Sequence, residues 1–264
     1  MSCLAALAEI DGRVESLFNT KEVNAAGIYS FNFYINGKPQ EVIVDEYIPC
    51  DPTNGLPCFG YSADMGEIWA MLIEKAWAKL HGSYCMTRKG SSVSTLPHMT
   101  GAPSLQYDHN YVEDLEAFWN IIKDADQRNY IITGSTHETC LNQAGGHEKR
   151  RLGIVSGHSY TVLSTHAFKH AGQRIKLIKL RNPYGNTEWE GDWSDESPLW
   201  TPKLRKQLGA ETIDDDGVFF IPLEAYIEHF RCTSINFETS NDRQTAVKVA
   251  SLEYDYSGQE DSDN

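Results

Sequence analysis

The chain has 264 residues, room for one large domain or two modest ones at about 100–200 residues each. Hydrophobic residues make up 41%, aromatic residues 11% and charged residues 23%, which excludes a largely disordered chain. The net charge of −14 repels phosphate backbones and anionic lipid, so nucleic acid and membrane surfaces are poor partners; it favours cations, calcium among them, though acidic solubility alone would look the same.

No apolar run reaches the roughly 18 residues of a membrane span. The N-terminus lacks a basic region, and Glu9 and Asp11 interrupt its apolar stretch, so it does not read as a signal peptide. The six cysteines, Cys3, Cys50, Cys58, Cys85, Cys140 and Cys232, form no C-x-x-C pair. Reduced thiols in the cytoplasm are therefore expected rather than a disulfide framework or a zinc site.

In chain order, Cys3, Leu7, Ile10, Val14 and Leu17 fall on one helical face, predicting a helix over 3–18. Tyr29, Phe31, Phe33 and Ile35 alternate, Asn36-Gly37 supplies a turn, and Val42 and Val44 return, predicting a hairpin. Residues 65–81 read as a helix with Trp69, Leu72, Ile73, Ala76 and Trp77 on its apolar face. Residues 89–104, rich in Gly, Ser, Thr and Pro, read as a loop or boundary. A helix is predicted over 111–127, followed by β segments at 130–133, 153–165, 174–181, 217–221 and 232–237. The polar, acidic end is expected to be disordered.

Two segments carry the chemistry: Ser156-Gly157-His158-Ser159-Tyr160 and Arg181-Asn182-Pro183-Tyr184-Gly185. Their His and Asn are centred on position 170, inside an expected turn at 166–173. An antiparallel hairpin would place His158 almost opposite Asn182, about 4.5–5.5 Å apart at Cβ. The Asn amide could then accept the Nδ1–H of the imidazole and leave Nε2 to act on a nucleophile, as in papain-type Cys–His–Asn sites. A chance neighbourhood of the two residues is the alternative. His166 and His170 could pair on a metal only on a helix, and a solvated turn is expected instead. Gly145-Gly146 is read as a flexible loop without phosphate-binding pattern.

These motifs, with Ala26-Gly27-Ile28-Tyr29, Glu67-Ile68-Trp69, Thr100-Gly101 and Glu188-Trp189-Glu190-Gly191-Asp192-Trp193-Ser194-Asp195, resemble the calpain cysteine-protease core from about Leu4 to Phe237. The resemblance implies an α+β, papain-like two-lobe fold. Its helical lobe would span 1–100, a β-rich lobe with His158 and Asn182 would span 101–238, and an acidic tail would span 239–264. It further implies calcium-dependent endoproteolysis of protein substrates. Calcium ligands would be Glu188, Asp195, the Asp214 carbonyl and Asp216 in the second lobe and Glu67 in the first; Val218 stands where the family has a Glu. Tyr184 replaces a Trp that acts as a wedge between lobes, and Trp189 and Trp193 would pack on the sheet.

The resemblance breaks at the N-terminus. The family's Gly-Asp-Cys-Trp nucleophile aligns about two positions before Met1, so Cys3 comes about five residues too late. Five helical residues add roughly 140° net and roughly 7.5 Å, far beyond proton-transfer tolerance. Cys3 is therefore expected to be a core residue. The sequence is expected to lack the thiol and the Gln donor, with truncation favoured over true loss. The alternative is an inactive calpain homologue that serves as a calcium-responsive protein-binding module.

Overall fold

The computed structural model describes residues 2–62, 66–87, 90–137 and 152–239. Helix α1 (Ser2–Ala8) is followed by a 3₁₀ turn at Glu15–Leu17 and by the hairpin β1 (Ile28–Ile35) and β2 (Lys38–Asp45). The hairpin closes at Asn36-Gly37, both with positive φ, as the turn chemistry predicts. Tyr29, Phe31 and Phe33 alternate inward, and Val44 and Val42 pair opposite the first two. Helices α2 (Trp69–His81) and α3 (Ser92–Thr100) complete the first packing unit. Its core joins Leu4 and Leu7 of α1 to Phe31, Phe33, Leu72, Ala76 and Leu96.

Two sequence expectations change here. The helix predicted over 3–18 stops at Ala8, and Gly12 at φ 84 lies in the left-handed region that α-helix cannot continue through. The apolar stripe persists because Val14 and Leu17 still pack into the same core from the separate 3₁₀ turn and its N-cap. The loop predicted over 89–104 instead contains α3. Gly101 caps it in the left-handed region by donating its N–H to the Pro97 carbonyl. Burial of Leu96 and Met99 outweighs the missing donor of Pro97.

The second unit is an antiparallel sheet in the order β3-β8-β4-β5-β6-β7. Its strands are β3 (Ser104–Asp108), β4 (Ile131–Thr136), β5 (Ser159–His170), β6 (Gln173–Arg181), β7 (Val218–Pro222) and β8 (Phe230–Asn236). Helices α4 (Leu115–Gln127), α5 (Pro202–Leu208) and α6 (Leu223–His229) flank it. Asp114 caps α4 by accepting from the N–H groups of Glu116 and Ala117. Phe118 and Trp119 of α4 pack with Tyr160, Leu180, Phe219 and Tyr226, while Trp193, Trp200 and Phe220 form a further cluster. Trp189 and Trp193 are buried in these clusters, as expected. Strand β3 and helices α5 and α6 carry no sequence expectation; each is short.

The β5–β6 turn is tighter than predicted. β5 runs to His170, and only Ala171 and Gly172, at φ 50 and φ 82, connect it to β6. His166 and His170 thus lie on a strand. The first meets the Phe220 ring and the Ser164 hydroxyl, the second the Trp193 ring. The Gly145-Gly146 loop and the tail from 240 onward lie outside the described residues.

The two cores fit a two-lobe arrangement, and α1 is the shared element. It packs against β4 and β5 as well as α3, and its neighbour Glu9 pairs with Arg181 at 2.6 Å. Ser92 and Ser159, and Thr100 and Asn236, add hydrogen bonds between the units. None of the described helices is long and apolar enough to cross a membrane.

One buried chain of hydrogen bonds ties the sheet to its helices. Tyr226 Oη donates to Thr233 Oγ1, Thr233 donates to His109 Nε2, and His109 Nδ1–H donates to the Phe230 carbonyl. Burial pushes His109 from 6.5 down to about 4. The unfolded chain therefore takes up a proton first as pH falls, so this stability is present above about 6.5 and is lost towards about 4. His109→Gln should flatten the fall of Tm across that window; thermal melts with equal slopes in both proteins would contradict this.

Candidate active site

His158 sits one residue before β5 and Asn182 one residue after β6. The His158 backbone is pinned to the end of β4. Thr136 N–H donates to the His158 carbonyl at 2.9 Å, and His158 N–H donates to Thr136 Oγ1 at 2.9 Å. Gly157 enters this bend at φ 64.

The register differs from the predicted one. Thr161 pairs with Arg181 and Val162 with Leu180, and Leu163 forms a bulge before Ser164 meets Lys179. Continuing that register places Tyr160, not His158, level with Asn182, and His158 level with Tyr184. The centre of the hairpin moved because the turn is Ala171-Gly172, and the bulge at Leu163 takes back only part of that shift. The consequence is visible in the contacts. The His158 ring stacks on Tyr184 with centroids 4.3 Å apart and planes 22° apart. It reaches Asn182 diagonally, which a long ring can do, with Nε2 2.9 Å from Oδ1.

The ring nitrogen is a second correction. Asn182 engages Nε2, not Nδ1. The direction of donation follows from the amide's other bonds. Asn182 Nδ2 faces three acceptors, the carbonyls of Asn186 and Thr187 at 2.5 and 3.1 Å and Thr187 Oγ1 at 2.9 Å. Oδ1 already accepts from Tyr184 N–H at 3.1 Å. The amide is thereby oriented, so Oδ1 accepts and Nε2 must carry the hydrogen. Nδ1 is then the nitrogen that can take a proton from a nucleophile.

Asn182 has no exposed surface, while Tyr184 above the imidazole is 61% exposed and Tyr160 packs edge-on against it at 5.0 Å. The backbone N–H of Asn182 donates to the Gly217 carbonyl at 2.7 Å. Gly217 has φ 81, and a Cβ there would stand 2.8 Å from the Asn182 carbonyl oxygen, so a side chain at 217 would push the Asn away.

Cys3 is in the first core, 9% exposed. Burial raises its thiol pKa, against hydrogen bonds with Ser92 and Thr95. A protonated thiol packed in a core is the opposite of an activated nucleophile. Among the described cysteines, Cys232 is also buried, and Cys50, Cys58 and Cys85 are exposed.

The acidic residues next to Asn182 repel one another. Glu188 is pushed from 4.5 up to about 7, first by burial and then by Asp195, Asp216 and Asp215, while the Gly217 N–H that it accepts at 2.8 Å opposes the rise. Burial also raises Asp195, offset by Arg205. Asp214 is exposed, and Asp216 accepts from Val218 N–H. Glu67 is not among the charges that shift this cluster. It accepts from Ser62 Oγ and Trp69 Nε1 on the segment leading into α2. Among the described residues, no three His, Cys, Asp or Glu side chains converge at metal-binding geometry. Thr136, Thr187 and Gly217 were not singled out in the sequence; a Thr ending a β segment and a Gly after an Asp run give no chemical signal by themselves.

A family profile described as "Calpain family cysteine protease" matches residues 1–236. The chain is 36% identical to Calpain-9 of Rattus norvegicus over 208 residues, 78% of this chain and 29% of that protein. It is 32% identical to the calpain-type cysteine protease DEK1 of Arabidopsis thaliana over 238 residues, 88% of this chain and 10% of that protein. It is 34% identical to Calpain-A of Drosophila melanogaster over 216 residues, 79% of this chain and 25% of that protein. The chain belongs to the calpain family of cysteine proteases, and it spans less than a third of the length of these relatives.

The electrostatics of the acidic cluster give a signed prediction. Because the folded carboxyl of Glu188 holds its proton up to about 7, against 4.5 ordinarily, its ionisation costs stability as pH rises through that window. Glu188→Gln keeps an acceptor for Gly217 N–H and removes the charge. Its Tm should exceed that of the parent at pH 7.5 and converge with it near pH 4.5. An unchanged or lower Tm at pH 7.5 would contradict the cluster's repulsion.

Proposed function

We propose that this calpain-family chain supplies the base and its orienter, His158 and Asn182, for calcium-dependent cysteine endoproteolysis of protein substrates in the cytoplasm. The hydrogen bond from His158 Nε2–H to Asn182 Oδ1 carries the reading. With Nε2 held, Nδ1 withdraws the proton of a cysteine thiol, and the thiolate attacks the peptide carbonyl. The imidazolium then protonates the departing amine. Water, deprotonated by the same nitrogen, hydrolyses the thioester. Asn182 stays neutral and fixes the tautomer and ring direction. Cys3 is not that thiol, for the reasons of burial above. The cytoplasmic setting is supported by free thiols at all five described cysteines.

The calcium part rests on donor chemistry. Carboxylate oxygens suit this hard cation; Glu188, Asp195 and Asp216, with the Asp214 carbonyl, would hold it only after drawing together, since these carboxylates do not converge at metal-binding geometry. Bound there, it would neutralise the charge that now destabilises Glu188. Val218 contributes no oxygen, and Glu67 offers a single carboxylate in the first unit. Millimolar calcium should raise Tm at pH 7.5 in the parent chain and have a much smaller effect in a Glu188→Gln/Asp195→Asn double variant; equal responses would remove calcium from this loop.

A second reading, a catalytically inactive protein-binding module, is favoured by one observation: the thiol nearest the start of α1 is a buried core residue. The two are separated by incubating the full-length protein in millimolar calcium with an unfolded protein substrate and with a thiol-directed epoxide. The enzyme reading predicts cleavage and labelling, both lost in His158→Ala. Neither cleavage nor labelling in the parent would contradict it and favour the binding module.

A further inference from the structure

Thr187 stands out because its backbone is in the wrong place for its side chain. It has φ 58, the left-handed region, where a β-branched residue is a true outlier. Glycine or asparagine would adopt this φ more readily, and Asn186 is the preceding residue. Strain of this kind persists where surrounding contacts hold it, and those contacts point to its use.

The contacts converge on one group. Thr187 Oγ1 accepts from Asn182 Nδ2 at 2.9 Å and donates to the Asn186 carbonyl at 2.6 Å. Both the Asn186 and Thr187 carbonyls accept from the same Nδ2. The Thr187 N–H is anchored in turn on Asp215 Oδ1 at 3.2 Å. The 186–187 segment thus forms a cup of acceptors around one end of a buried amide. At the other end, the Tyr184 N–H and the His158 ring require an acceptor. An asparagine amide is nearly symmetric in shape, so only its surroundings decide which end carries oxygen.

We propose that Thr187 is a positioning residue: its strained backbone and its hydroxyl hold the Asn182 amide with Oδ1 towards the imidazole, so that His158 keeps its hydrogen on Nε2. The inference deepens the reading of His158 as the base and rests on it. Thr187 acts only through Asn182.

The test reads the imidazole directly, by ¹⁵N chemical shifts of His158 in the neutral ring. Thr187→Val keeps the shape and the strain but removes the hydroxyl. It should lower the ratio of the Nε2–H to the Nδ1–H tautomer by roughly three- to tenfold, the scale of one hydrogen bond. Thr187→Ser should restore the parent ratio. Thr187→Gly relieves the strain, so its Tm should not fall while its tautomer ratio drops as in Thr187→Val. That variant keeps the test decisive if Thr187→Val fails to fold. A parent-like tautomer ratio in Thr187→Gly and in folded Thr187→Val, whatever their Tm, would overturn the proposal, as would a Thr187→Ser protein that resembles Thr187→Val. The tautomer ratio and epoxide labelling fail independently. An unresponsive ratio with intact labelling in the parent sinks only Thr187, while absent labelling with a responsive ratio sinks only the enzyme.

Discussion

A buried carboxamide must find a partner for every donor and acceptor it brings inside, because an unsatisfied one costs about 1–3 kcal/mol. Asn182 is such a group. With no exposed surface, its Nδ2 is satisfied by residues 186 and 187, its backbone N–H by Gly217, and its Oδ1 by Tyr184 N–H and His158. The imidazole is held because the amide is held. An aspartate in its place would add a buried charge, and a leucine would leave the Tyr184 N–H, the imidazole and the loop carbonyls without their partner.

The fold arranges this by strand pairing and by the loop that follows β6. The β5–β6 hairpin brings together residues far apart in the chain, and β4 adds Thr136 beneath His158. The same backbone that satisfies Asn182 belongs to the acidic loop, since Gly217 accepts from Asn182 with its carbonyl and donates to Glu188 with its N–H. Charge on Glu188 is therefore two hydrogen bonds away from the backbone N–H of Asn182. The cysteine side of the chemistry is different. Cys3 is a core residue of α1, and the helix packs between the two units as a structural part.

Much of this was legible in the sequence because its signals are local. Asn36-Gly37 fixes the first hairpin, and the apolar faces of α2 and α4 follow helical spacing. The approach of the His and Asn motifs across a hairpin was legible in kind. The register was not legible, because a one-residue bulge at Leu163 and a two-residue turn at Ala171-Gly172 are decided by packing across the sheet. The identity of the engaged nitrogen follows from that register and from the orientation of the amide. Helix α3 was hidden by its composition: Ser, Thr and Pro read as loop, while Leu96 and Met99 carry the burial that makes a helix. Thr187 was invisible, since a φ angle has no signature in a lone Thr.

Neutron diffraction from deuterium-exchanged crystals locates the hydrogen on which the account turns. A deuteron is expected on Nε2 of neutral His158, lying between it and Asn182 Oδ1, with the heavy atoms about 2.9 Å apart. A ring turned to present Nδ1 to Asn182, or a deuteron of Nδ2 pointing at the imidazole, would contradict it.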